Sequence, residues 1–212
     1  TDETWTNRDG TSARGWLLRG SQDAPAVILL HKYGADRSHV LNLGVKLNEA
    51  TNFTVLMPDQ RGHGPNPAVP YTSFGGCEST DTTAAIAFLH GLKNESQAAI
   101  VGKDIGIYGL EMGSLAALNA AADDEAVKAI VLDSVPADSD SLVASVIDRR
   151  FPFASSITSR LGQLGSYGYF YEGCYSRVPV CDSARRVANR KALLLAGTDI
   201  PEFQESTSKL SK

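Results

Sequence analysis

The sequence predicts an α/β fold, a mainly parallel sheet with helices on both faces. Three observations predict it. Short, mostly apolar runs at 26–30, 53–57, 105–108 and 127–132 have the length of buried strands, and 26–30 is apolar without a break. Helically spaced stretches alternate with these runs, and that alternation gives parallel strands joined by right-handed crossovers. Finally, Gly109-Leu110-Glu111-Met112-Gly113 carries a strand into a helix through very few residues. The two glycines leave room for so sharp a turn, and the residue between them is forced into strained backbone with an exposed side chain.

The elements follow in order. Residues 4–18 read as a hairpin around the turn dipeptide Asp9-Gly10. Ala26-Val27-Ile28-Leu29-Leu30 is a central strand, and His31-Lys32-Tyr33-Gly34-Ala35-Asp36-Arg37 is the loop that leaves it. Ser38 is expected to cap a helix running to about Ala50. The strand at 53–57 is followed by a loop rich in breakers, Pro58-Asp59-Gln60-Arg61-Gly62-His63-Gly64-Pro65-Asn66-Pro67. Residues 79–92 are helical, with Ala85, Ile86, Phe88 and Leu89 on the inner side. The strand at 105–108, the glycine-flanked turn and a helix over 114–122 come next, then the strand at 127–132. Between 133 and 188 the pattern gives two short helices, at 141–149 and 157–164, and an aromatic cluster of Tyr167, Tyr169, Phe170, Tyr171 and Tyr175. That cluster is read as core or lid packing in preference to a ligand platform. A strand at 191–196 leads to Gly197-Thr198-Asp199-Ile200-Pro201, and 204–210 starts a final helix. No repeat, low-complexity tract or linker divides the chain, so 1–212 is one domain, with about 133–188 as a helical, lid-like insertion.

Composition bounds the function. Among 212 residues, 42% hydrophobic and 21% charged is ordinary for a globular protein. A net charge of −4 argues against nucleic acid or an anionic membrane as partner. No apolar run approaches the ~20 residues of a membrane span. The chain begins at Thr1 without a methionine, as expected of a chain from which a leader has been removed. The three cysteines, Cys77, Cys174 and Cys181, show no metal-ligand spacing, and no metal or cofactor is expected. Cys174 and Cys181 bracket a short loop and are expected to bond, leaving Cys77 free. That bond points to a secreted or periplasmic protein, with the cytoplasm as the alternative.

Several stretches in register carry a family resemblance. They are the strand ending at His31 with Tyr33-Gly34, the loop Asp59-Gln60-Arg61-Gly62-His63-Gly64, the turn at 109–113, the strand end Val131-Leu132-Asp133-Ser134, and Gly197-Thr198-Asp199. Together they resemble the α/β-hydrolase superfamily, nearest to serine esterases and peptidases, over about residues 12–205. The turn resembles the nucleophile elbow, G-x-S-x-G, with Glu111 in place of serine.

The resemblance implies an ester or peptide hydrolase acting on a small molecule or peptide. Backbone N–H groups of Met112 and Tyr33 map to the oxyanion hole. Asp199 is the nearest match to the triad acid, one residue earlier than the usual G-x-x-D, and Asp133 is the other candidate. The family order places a histidine last, yet His31, His39, His63 and His90 all precede Glu111. His31 and His63 match loop positions that are usually structural. The family's final strand and helix find no counterpart, which leaves a sheet edge exposed for association with a neighbour.

Three functions follow. The first is a hydrolase by ancestry that is inactive as this chain stands. The second is a binding or scaffold module that keeps the cleft. The third is a carboxylate nucleophile at Glu111, as in dehalogenases and epoxide hydrolases. Lys32 stands where the family commonly has glycine and is expected to pair with Glu111 across the oxyanion site.

Overall fold

In the computed structural model, residues 1–151, 155–170, 173–175 and 178–211 are described. Seven strands form one sheet in the order β1-β2-β4-β3-β5-β6-β7. β1 (Asp2–Thr6) and β2 (Ser12–Leu18) form the predicted hairpin, antiparallel to each other. Gly10 at φ 83° makes the turn, where Asp9 Oδ1 accepts from the Thr11 amide. β2 pairs antiparallel with β4 (Thr54–Pro58). From there β4, β3 (Ala24–Leu30), β5 (Val101–Leu110), β6 (Val127–Asp133) and β7 (Lys191–Leu195) run parallel. The 105–108 run thus sits inside the sheet, between β3 and β6.

The strand period of two divides the core. On one face Leu29, Val55 and Met57 pack with α1 (Leu41–Thr51). On the other, Ile28, Leu30, Leu56, Ile105 and Ile107 meet α2 (Cys77–Gly91) and α3 (Met112–Asp123). Expected boundaries shift at two starts. A 3-10 turn, Arg37–Val40, precedes α1, and its cap is Asp36, which accepts from the Ser38 amide. Ser38 is therefore inside the turn and is not the cap. α2 begins at Cys77, two residues early, because Glu78 draws its first turn together.

Between β6 and β7 lie α4 (Ser139–Arg150), α5 (Ser155–Tyr169) and α6 (Val180–Arg186). Asp138 caps α4 in a reciprocal box with Ser141. A Cβ at Gly162 of α5 would strike Ile147 of α4, so glycine sets how closely these helices approach. α7 (Pro201–Leu210) follows β7 and buries Phe203. β7 lies at the sheet edge, with Leu193 54% and Leu195 39% exposed.

The cysteine pairing expected from the sequence is wrong. Cys174 bonds Cys77, with Cα atoms 4.9 Å apart, and Cys181 is free and exposed. Glycine is the reason for the approach: a Cβ at Gly76 would overlap the Cys174 carbonyl. Cys181 is carried away on α6. The bond ties the chain after α5 to the start of α2. In the aromatic cluster, Tyr169 is 71% exposed and so is not core. It stacks edge-on with Phe170, and both reach Tyr71. Tyr171 lies outside the described residues.

Candidate active site

The site is built where β5 passes into α3. Glu111 takes φ 48° and ψ −109°, a conformation side chains rarely adopt. Close approach explains both flanking glycines. A Cβ at Gly109 would overlap the Gly113 carbonyl, and one at Gly113 would lie 2.5 Å from the Leu30 oxygen and 2.8 Å from the His31 oxygen. The turn is pressed against the loop leaving β3, as the sequence suggests. The Glu111 amide donates to the Asp133 carbonyl at 3.0 Å, which fixes the apex to the neighbouring strand end.

Contrary to the exposed side chain expected, Glu111 is only 3% exposed. Its Oε2 lies 3.6 Å from Arg149 Nη2 on α4. That is an ion-pair contact too long for a hydrogen bond, and Oε2 has no hydrogen-bond partner among the described residues. Burial pushes the carboxyl pKa up. The charges of Arg149 and Lys32 oppose this, and that of Asp199 adds to it. Lys32 therefore acts on Glu111 through space, while the ion pair expected of it belongs to Arg149. The guanidinium reaches in from a helix 38 positions along the chain, which no local spacing reveals.

The other predicted residues gather at the same end of the sheet. Met112, wholly buried, opens α3. Tyr33 stacks on Phe74 at 5.5 Å between ring centres and meets His63 edge-on at 5.4 Å. Asp199 lies after β7, beside Gly197, whose amide donates to Ser134 Oγ at 3.2 Å. The two candidate acids differ in what they already hold. Asp133 accepts from Tyr108 Oη at 3.1 Å and Ser134 Oγ at 2.9 Å, so both its oxygens are engaged.

His31 and His63 are both used structurally. His31 Nδ1 donates to the Lys32 carbonyl at 2.8 Å and Nε2 accepts from the Gln60 amide at 3.1 Å. His63 Nδ1 donates to the Arg61 carbonyl at 2.8 Å and Nε2 accepts from the Gly34 amide at 3.0 Å. These contacts fix the orientation of each ring. Burial lowers the His31 pKa to about 4. Beside them opens a groove of about 510 Å³ walled by Tyr33, Tyr71, Phe74, Tyr169 and Phe170. Sequence reasoning missed Tyr71 and Phe74, which sit in a loop without periodicity.

The chain belongs to the alpha/beta hydrolase family, whose sequence profile matches residues 10–205. Among curated proteins it is similar to thiohydrolase aneE of Aspergillus aculeatus, 26% identical over 124 residues. That alignment covers 58% of this chain and 37% of the thiohydrolase. It is also similar to polyketide transferase grgF of a Penicillium species, 28% identical over 132 residues, covering 61% of this chain and 43% of the transferase. The alignments thus span less than half of either relative. Among solved structures, GrgF superposes with a TM-score of 0.71 at 19% identity, over 100% of this chain and 84% of that one. The Pyrococcus furiosus esterase Pf2001 gives 0.66 at 21% identity, over 99% and 77%. At those identities the structures speak for the fold alone.

Proposed function

We propose that this chain carries a hydrolase cleft in which the acyl-accepting residue has been replaced, so that it binds small acyl compounds without turning over esters or peptides. One observation carries the reading. The strained apex, where the family holds its serine, is occupied by the buried carboxylate of Glu111 paired with Arg149. An acyl transfer at this position needs a hydroxyl, a base to take its proton, and donors for the oxyanion. The donors have counterparts in the backbone N–H groups of Met112 and Tyr33, and Asp199 stands at the acid's position. His31 and His63 do not serve as that base, because both ring nitrogens of each are already engaged.

The aromatic groove beside Tyr33 suits an apolar acyl group, with the end of α5 as one wall. The similarity to a thiohydrolase and a polyketide transferase favours small acyl compounds over peptides. The Cys77–Cys174 bond supports an oxidising compartment, secreted or periplasmic. Leu193 and Leu195 on the edge strand support association with a second copy through β7. Leu193→Lys should then shift sedimentation towards monomer.

A second reading rests on the unpartnered Glu111 Oε2, which can attack an electrophilic carbon. Attack on an epoxide carbon opens the ring and leaves an ester on Glu111. The two readings separate on incubation with p-nitrophenyl butyrate and with styrene oxide. The first expects release of nitrophenol at the buffer rate and an unchanged intact mass. A stable adduct on Glu111 would favour the second.

A further inference from the structure

Behind the catalytic edge, between the β1–β2 hairpin, the loop at 59–69 and α2, lies a separate cavity of about 210 Å³. Neither Glu111, Lys32, Tyr33, Met112 nor Asp199 lines it. Four of its lining residues carry a buried polar atom with no hydrogen-bond partner among the described residues: Trp5 Nε1, Asn7 Oδ1, Arg14 Nη2 and Gln60 Oε1. Buried polar groups are normally satisfied, so four orphans around one space indicate a guest that supplies their partners. Asn7 and Gln60 are only 6% and 5% exposed.

The orientation of both amides is fixed by their other contacts. Gln60 Nε2 donates to the His31 carbonyl, so Oε1 is the atom left over. Thr11 Oγ1 donates its proton to Asp9 at 2.6 Å and must accept from Asn7 Nδ2, at 3.1 Å, which leaves Asn7 Oδ1 unpartnered. The cavity thus offers two acceptors and two donors.

Its charges are already matched. Arg14 pairs with Asp59 at 3.1 Å, and Arg61 with Asp81 at 2.6 Å and Asp9 at 2.9 Å. The Glu78 carboxylate accepts from the Ser73 and Gly75 amides. Among the described residues, each charged group lining the space already holds an ion-pair or hydrogen-bond partner, which favours a neutral guest over an ionic one. Leu30, Pro58 and Val69 add apolar wall. The volume equals on the order of seven water molecules at ~30 Å³ each.

We propose that this cavity is a second binding site, for a small neutral polyol of about four to six carbons. Hydroxyl groups meet the alternating requirement, since each both donates and accepts. Their carbon backbone lies against the apolar wall. His63 stands between this site and the aromatic groove, lining both.

The test uses the two indole N–H signals of the ¹⁵N-labelled full chain, Trp5 and Trp16, assigned through Trp16→Phe. Xylitol should move the Trp5 signal along a saturable curve and leave Trp16 unmoved, while sodium acetate and tetramethylammonium chloride move neither. Gln60→Leu should weaken xylitol binding at least tenfold. Val69→Phe, which fills the space from its apolar wall and touches no hydrogen bond named above, should abolish binding with circular dichroism unchanged. A linear, unsaturated shift of both indoles would overturn the proposal. So would an equal response to the ions, or undiminished binding in folded Val69→Phe. So would a crystal soaked in xylitol that shows only ordered waters bridging the four atoms.

Discussion

Two buried glutamates of this molecule are held in opposite ways. Glu78, 1% exposed, accepts four hydrogen bonds, from the Thr72 hydroxyl, the Ser73 amide and hydroxyl, and the Gly75 amide. Glu111, 3% exposed, has one distant cation at 3.6 Å and an oxygen with no hydrogen bond among the described residues. The first is a structural carboxylate that gathers a loop into the first turn of α2. The second is held by its strained backbone and by the Arg149 guanidinium alone. A buried charge that its surroundings do not satisfy is where a protein has kept a place for chemistry or for a ligand.

The largest effect expected is at the edge of the Glu78 cradle, where Cys77 opens α2. The Cys77–Cys174 bond closes a span of 97 residues, and a loop of that length is worth about 4–5 kcal/mol by chain entropy. Cys77→Ser with Cys174→Ser should lower urea stability by about that much. In the intact chain, alkylation without reduction should label Cys181 alone, and a label on Cys77 would break this assignment. Next, Glu78→Ala leaves buried donors without acceptors, and should cost about 3–4 kcal/mol in urea. A loss below 1 kcal/mol would mean that the cradle does not hold α2.

A third buried group extends the comparison to pH. His31 is neutral when folded, with its pKa lowered to about 4 from 6.5. Between those values the unfolded chain binds the proton and the folded chain does not. The contribution is therefore complete above about pH 6.5 and is lost as pH falls towards 4, by about 3 kcal/mol. Urea titrations at pH 7, 5.5 and 4.5 should show this slope, and His31→Asn should flatten it. The smallest effect has the opposite sign. Glu111 has a raised pKa, so its burial costs stability above its folded pKa, and the cost disappears as pH falls through that value towards its unfolded pKa. Glu111→Gln should raise stability at pH 7 by about 1 kcal/mol, because Arg149 is half-exposed and stays hydrated when its partner is neutralised. The gain should shrink towards pH 4. A loss at pH 7 would place Glu111 in the same class as Glu78.

Local chemistry accounts for what the sequence made readable. Apolar runs of strand length gave β3 to β6. Gly109 and Gly113 marked the turn, since only glycine tolerates those carbonyls so close. Asp9-Gly10 marked the hairpin. What escaped depends on partners distant in sequence. Arg149 meets Glu111 only because α4 folds over the cleft. Cys174 meets Cys77 and not its near neighbour Cys181, and Gly76 leaves room for that approach. α6 is a short helix, Val-Cys-Asp-Ser-Ala-Arg-Arg over 180–186, without a periodic apolar face to announce it. Glu78 reads as an ordinary acidic residue in a first helical turn, and its burial shows only once the 72–75 loop closes over it.

The central claim is that Glu111 closes the catalytic apex to acyl transfer. Its most direct measurement is p-nitrophenyl butyrate hydrolysis by the chain and by Glu111→Gln, side by side with intact mass. The account predicts nitrophenol release at the buffer rate for both proteins, with no adduct. Release that depends on the protein and is abolished in Glu111→Gln would contradict it.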